Sequence, residues 1–283
     1  MASEFVDALV ARELTGSTPV LRLFGGPRVV CGHERFEVPE GSKRLLVFLA
    51  LHRRQVERSY AAGMLWPAGN DGRAAGNLRS ALWRLNQARG GLISAGKHRL
   101  SFRDDVLIDM DVVAGWARRL IAGRPVGADL AVLPAGAEAF DLLPGWYDDW
   151  VLMERERIRQ RVLHALEAMS RQLVMAGRCA EGVEVALVAT GAEPLRESAQ
   201  RALLEAHLAE GNWVEGRRGL DAYQELLARE LGIKPDPRLA AMLSTYPRSY
   251  PVDGVDDRPG AEHRSGGDNR RPERPAAESM ATM

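Results

Sequence analysis

The chain has 283 residues, 46% of them hydrophobic, and its 38 Lys and Arg balance 38 Asp and Glu. That is apolar material for about two domains with real cores. Two isolated cysteines, Cys31 and Cys179, exclude a disulfide framework or a cysteine zinc site, and no apolar run reaches membrane-spanning length. With no basic-then-apolar leader at the start, the expected compartment is a reduced cytoplasm.

The zero net charge conceals a division. Residues 17–110 carry 15 Lys and Arg against 8 Asp and Glu, whereas 111–246 carry 16 against 20. A basic segment beside an acidic one points to a polyanionic partner for the first.

Residues 1–16 read as a loose arm or short helix. From Pro19 the texture turns to strand: VLRLFG, PRVVCG and ERFEVP alternate between Gly-rich turns and suggest a small antiparallel sheet. Ser42 is the expected cap of KRLLVFLALHRR, whose Leu45, Leu46 and Leu49, with Val47 or Phe48, form a buried face. Ser59 is the expected cap of YAAGMLW, which Pro67 closes, and PAGNDG (67–72) is a loop by composition.

The next helix, with Asp71 as expected cap, places Ala74, Ala75, Leu78, Ala81, Leu82 and Leu85 on one stripe. Its opposite face carries Arg73, Asn77, Ser80, Trp83, Arg84 and Gln87, with Arg79 on the flank. Gly90-Gly91 stops it. Two short β-like runs, 92–95 and 99–102, are joined by Gly96-Lys97-His98 as a basic-tipped hairpin. A final strand, VLIDM, is expected to pair with that hairpin.

Sheet, two helices, loop, helix and hairpin is the order of a winged helix-turn-helix, whose third helix enters the major groove of double-stranded DNA. Arg73, Asn77, Ser80 and Arg84 are the expected base-edge contacts, since Arg pairs with guanine and Asn with adenine. Arg79, Lys97, His98 and Arg99 are assigned to phosphates or the minor groove, and Arg58 and Ser59 to the DNA backbone at the second helix's start. A solvated helix in an ordinary α/β domain competes with this on the helix alone.

Beyond Asp111 the chain turns helical. After DVVAGWARRLIAG and a Gly/Ala/Pro-rich passage, Leu163, Leu166, Met169, Leu173 and Val174 recur at helical spacing. Gly177 and Gly211 are separated by 34 residues, as are Ala168 and Ala202, Glu181 and Glu215, and Gly182 and Gly216. Thirty-four residues per helix pair is the tetratricopeptide (TPR) period, and such repeats leave a groove for a partner. After Tyr246 the composition is Pro, Gly, Asp, Arg and Glu with few large apolar residues, which predicts a disordered tail.

LRLFGGPRVV, KRLLVFLALH, GMLWP and NLRSALWRLNQARG, in that order, closely resemble the DNA-binding half of SARP-type transcriptional activators, with its response-regulator-like winged helix. FDLLPGWYDDWVLMERERIRQ, EPLRESAQRALLEAHLAEGN and YQELLARELGIKPDPRL resemble the bacterial transcriptional activator domain that follows it. The resemblance implies a bacterial, nucleoid-associated activator of a secondary-metabolite (antibiotic) gene cluster. It would bind direct repeats near promoters in side-by-side pairs and recruit RNA polymerase with its sigma factor. Pro67, Asn70 and Asp71 match the loop that faces polymerase in this winged-helix class.

The expected fold is therefore mainly α with a small β component: an arm (1–16), a winged-helix domain (17–110), a TPR-like all-α domain (111–246) and a tail (247–283). An adaptor with secondary or lost DNA binding is the alternative function.

Signals for enzymes weigh little. The run from Gly91 to His98 approximates a phosphate-binding loop but has His98 where Ser or Thr must hold magnesium, and a basic strand follows instead of a helix. The histidines lack ligand spacing. Asp148, Asp149, Glu154 and Glu156 fit an exposed helix face of alternating charge, with no nucleophile beside them. Neither a catalytic group, a metal nor a cofactor is expected. Trp146, Tyr147 and Trp150 are expected in the core. Trp83, on the polar face of the helix that carries Arg73, either packs against the hairpin or sheet or contacts thymine methyls and sugars, and packing is the favoured reading.

Overall fold

In a computed structural model, described for residues 4–16, 18–32, 34–52, 55–87 and 91–245, three strands follow an N-terminal helix. The predicted tail at 247–283 and the Gly90 part of the helix stop lie outside the described residues. Helix α1 (Glu4–Glu13) buries Phe5, Val6, Leu9 and Val10, a spacing that gives it one apolar face. It precedes β1 (Pro19–Arg22), β2 (Arg28–Cys31) and β3 (Glu34–Phe36), an antiparallel meander in which Val20 faces Val30 and Val29 faces Phe36.

Helix α2 (Glu40–His52) is buried almost all round, with every side chain from Leu45 to Leu51 inside. Then come β4 (Val56–Glu57), α3 (Arg58–Leu65), α4 (Asp71–Gln87), the hairpin β5 (Ile93–Ala95) and β6 (Arg99–Phe102), and β7 (Leu107–Ile108). The strand order is β3-β2-β1-β7 in one sheet and β4-β6-β5 in the other.

Two details depart from the sequence reading. Strand β7 pairs in parallel with β1, Val20 opposite Leu107, and not with the hairpin; the hairpin's extra partner is β4. The two expected caps of α2 and α3 also fail. Ser42 lies inside α2, fully buried, and its hydroxyl donates to Ala81 O of α4 at 3.0 Å. Glu57 is the N-cap of α3, which places Ser59 in the helix's first turn. Helix α2 begins two residues before Ser42 and α3 one residue before Ser59. Each serine thus already has helical geometry inside the first turn and cannot take the flanking position from which a cap's hydroxyl reaches the free amides.

Helix α5 (Asp109–Ile121) continues directly from β7 and joins the sheet to the rest of the chain. Trp116 is wholly buried against Phe5 of α1, ring centroids 5.2 Å apart, and stacks on Phe140 at 6.0 Å. The N-terminal arm is thus a packed helix, held because Phe5 packs edge-on against both of those rings. Two short 3-10 turns, Gly127–Leu130 and Ala137–Phe140, carry the chain to α6 (Asp149–Met175). Along the way Arg155 of α6 donates to the carbonyls of Leu142, Leu143 and Trp146, pinning a turn in which Leu143 takes φ 53°.

Four more helices follow: α7 (Cys179–Ala192), α8 (Glu197–Glu210), α9 (Trp213–Leu231) and α10 (Pro237–Thr245). The 34-residue spacing has a structural counterpart. Helices α7 and α9 begin 34 residues apart, and Gly177 and Gly211 both turn the chain with left-handed φ of 77° and 85°. Two ion pairs, Arg159 with Glu193 and Arg171 with Glu205, link residues 34 apart. One cluster of buried side chains runs unbroken from Phe5 to Ala199; a smaller one joins Leu204, Leu208, Leu220, Tyr223, Leu227 and Leu239.

Candidate nucleic-acid interface

Helix α4 is held by its apolar stripe: Ala74, Leu78, Ala81 and Leu82 are buried, and the small alanines allow α2 and α3 to pack closely. Its N-terminus is capped by Asn70, not Asp71. The Asn70 side-chain oxygen accepts from the Arg73 amide at 2.9 Å, and its carbonyl accepts from Ala74 at 3.1 Å. That is the geometry of an N-cap with its third-position amide. Asp71 occupies the first helical position, where its carboxylate faces the positive end of the helix dipole.

The outward face is as the pattern requires. Arg73, Arg79, Ser80 and Arg84 are exposed and Asn77 is half-buried. Their surroundings differ, though. The Arg73 stem leans over the preceding loop, where a β-carbon on Gly69 would touch it at 3.4 Å. The Arg79 guanidinium folds back along the helix, 3.7 Å from a β-carbon position on Gly76. Arg84 turns aside to α2, its Nη2 3.0 Å from a β-carbon position on Gly41. The N-terminal half of α4 therefore gathers Arg73, Asn77, Arg79 and Ser80, while Arg84 is drawn toward the neighbouring helix.

Trp83 is not packed on the hairpin or the sheet: it is 64% exposed. Tyr147 likewise lies outside the core, 78% exposed, while Trp146 and Trp150 are half-buried and pack against it. Asp148 pairs with Arg44, Glu154 with Arg157 and Glu156 with Arg159, so three of those four carboxylates serve as ion-pair partners.

The hairpin stands beside the start of α3 and is fastened to it. The Arg58 amide donates to His98 O at 2.9 Å and the Arg58 guanidinium to Gly96 O at 3.2 Å. Gly96 N in turn donates to Arg99 O at 2.9 Å, closing the turn, and Arg99 reaches the Gln55 side chain at 3.3 Å. Lys97 and His98 project from the tip, exposed with Arg99. Arg58 thus has a structural task, orienting the tip relative to α3. Gln55 and the two-residue strand β4 were not legible as parts of this site, because neither has a pattern of its own.

Between α3 and α4 lies a groove lined by Arg58, Ser59, Asp71 and Arg79 among others. Pro67, Asn70 and Asp71 are all exposed at its loop end. One continuous surface thus presents an arginine-bearing helix, a basic hairpin tip and an exposed turn. Chemically it can hydrogen-bond base edges from a rigid helix while placing cations against two phosphate backbones.

Residues 131–245 match the family profile of the bacterial transcriptional activator domain. No curated protein matches the chain. Among solved structures, Mycobacterium tuberculosis EmbR, determined in complex with a low-affinity phosphopeptide, is similar with a TM-score of 0.63 at 19% identity. The likeness covers 80% of this chain and 64% of that one, so the chain spans less than two thirds of EmbR's length. At that identity the similarity establishes the fold.

Proposed function

We propose that this chain, whose residues 131–245 match the bacterial transcriptional activator domain, is a regulator of the SARP type that binds specific DNA sequences and activates transcription from them. The observation that carries the proposal is α4: a capped, rigid helix whose exposed face bears Arg73, Asn77, Arg79 and Ser80 beside a basic hairpin fastened to α3. Arg73, Asn77 and Ser80 meet base edges in the major groove, with Arg84 a lesser contributor because it leans on α2. Lys97, His98 and Arg99 hold phosphate or the minor groove, and Ser59 lies at the α3 start near the backbone. The helical part beyond about residue 110, which shares one buried cluster with the winged helix, supports this as a platform. Two copies bind side by side on direct repeats and recruit RNA polymerase with its sigma factor, at promoters of a secondary-metabolite (antibiotic) cluster.

Footprinting on the intergenic DNA flanking the protein's own gene tests this. Two protected repeats, lost steeply as salt rises, are expected. Absence of protection with no salt-dependent binding would overturn DNA reading and leave an adaptor.

The polymerase-facing loop has its own test. Asn70→Ala removes the cap of α4 and should cost about 1 kcal/mol of stability, with a matching loss of DNA affinity. Asn70→Asp keeps an acceptor and should restore both. Asp71→Asn leaves the cap in place, so it should lower transcription in vitro more than it lowers footprint affinity. Equal losses for Asp71→Asn would remove the case for a separate polymerase surface.

A further inference from the structure

Among the described residues Trp83 makes no ring contact and no side-chain hydrogen bond. Of the six tryptophans the other five are buried or half-buried, whereas Trp83 exposes 64% of its surface from the last third of a well-packed helix. Leaving an indole in water forgoes several times the burial gain of a smaller side chain, which makes the position informative.

Its direction is equally specific. At about 100° per residue, the line opposite the buried Ala74, Leu78, Ala81 and Leu82 passes close to Gly76 and Trp83, with Ser80 between. The outermost ridge of α4 therefore runs glycine, serine, tryptophan. At the N-terminal end of this ridge Gly76 is half-buried beside the Arg79 guanidinium. The indole stands about 10 Å further along, at 1.5 Å per residue. Cations flank the N-terminal part of this ridge: the Arg79 guanidinium, one turn before Trp83, lies beside Gly76, and Arg73 stands at the helix start, whereas Arg84 turns toward α2.

An apolar platform bordered by guanidinium groups suits a partner that is anionic at its edges and apolar at a defined inner spot. The DNA major groove meets both conditions, and its apolar feature is the C5-methyl of thymine. A purely apolar protein surface would leave the arginines facing hydrocarbon, at a desolvation cost.

We propose that Trp83 is a specificity-determining residue that recognises a thymine methyl in the major groove, beyond the bases met by Arg73 and Asn77. This rests on the proposal that α4 enters the major groove, and the test separates the two. The probe is a duplex selected by the wild-type protein from a randomised pool, remade with its thymines replaced one at a time by deoxyuridine. Uracil keeps every hydrogen bond of thymine and lacks only the methyl.

Wild type should lose about four-fold affinity at one thymine, the factor that burying one methyl-sized group corresponds to. Trp83→Ala should show no such step at that thymine, and Trp83→Phe should retain part of it. If every uracil substitution affects wild type and Trp83→Ala alike, the proposal is overturned, including the case in which Trp83→Ala instead abolishes self-association in sedimentation. Failure of wild type to enrich any sequence would overturn the major-groove placement itself. Because the side chain is exposed, an unchanged circular dichroism melt is expected for both variants.

Discussion

Asp109→Ala should cost about 3 kcal/mol or more of stability, since buried amides left unpaired cost about 1–3 kcal/mol each. Asp109 begins α5 and is wholly buried. Its carboxylate accepts from the Leu23 amide at 3.0 and 2.9 Å and from the Phe24 amide at 3.2 Å. Those residues follow β1 and make the seam to the helical part: Leu143 N donates to Leu23 O, and Gly25 N to Asp141 O. Alanine would strand the amides where no water reaches, and urea unfolding should show the loss.

The same carboxyl predicts a pH dependence. Burial pushes its pKa up to about 7, against the lowering effect of the Leu23 and Phe24 amides and of the nearby Arg22 charge. A group raised in the folded state stabilises it fully below the unfolded value near 4. That contribution is lost as pH rises through about 7. Stability from this source should therefore fall between pH 4 and 7 and level off above. Asp109→Asn, which has no such proton, should remove that slope; an unchanged slope would assign it to other groups.

Gly182→Ala should destabilise by about 1–3 kcal/mol, the usual range for overpacking. A β-carbon there would sit 2.9 Å from Val174 Cγ2 and 3.1 Å from the Ser170 carbonyl oxygen. The backbone cannot retreat easily, because Ser170 Oγ donates to Gly182 O at 2.8 Å and ties α6 to α7. Gly216, 34 residues later, meets Leu204 Cδ1 at 3.1 Å, a methyl that can rotate away. Gly216→Ala should therefore cost clearly less. Equal thermal shifts for the two variants would mean that helix approach is not what requires glycine at this repeat position.

These positions mark what a single sequence can disclose. The period of 34 was legible because glycines and small residues recur where helices approach. The hairpin was legible because its turn is made of Gly96, Lys97 and His98 between short strand-forming runs. What escaped depends on contacts distant in sequence. A strand of two residues such as Val56–Glu57 has too few positions to show alternation, and Leu107–Ile108 chose β1 over the hairpin through pairing that no local pattern encodes.

The caps failed for a different reason. Asn70 and Asp71 are both good capping residues side by side, and the loop's approach through Gly69 at φ 146° brings the chain in so that Asn70 meets the free amides. Aromatic residues were the least legible. Trp83 and Tyr147 share composition and neighbourhood with packed rings, yet both face outward, and side-chain type alone does not separate the two fates.

The direct test of the central claim, that α4 reads bases while the hairpin tip grips the backbone, is a titration of Arg73→Ala, Asn77→Ala and Lys97→Ala. Each is measured on the selected duplex and on random DNA at several salt concentrations. Arg73→Ala and Asn77→Ala should lose about 1–3 kcal/mol on the selected duplex and much less on random DNA. Lys97→Ala should weaken both alike and lower the salt slope by about one unit. Equal losses on the two duplexes for Arg73→Ala and Asn77→Ala would contradict the assignment of α4 as the reading helix.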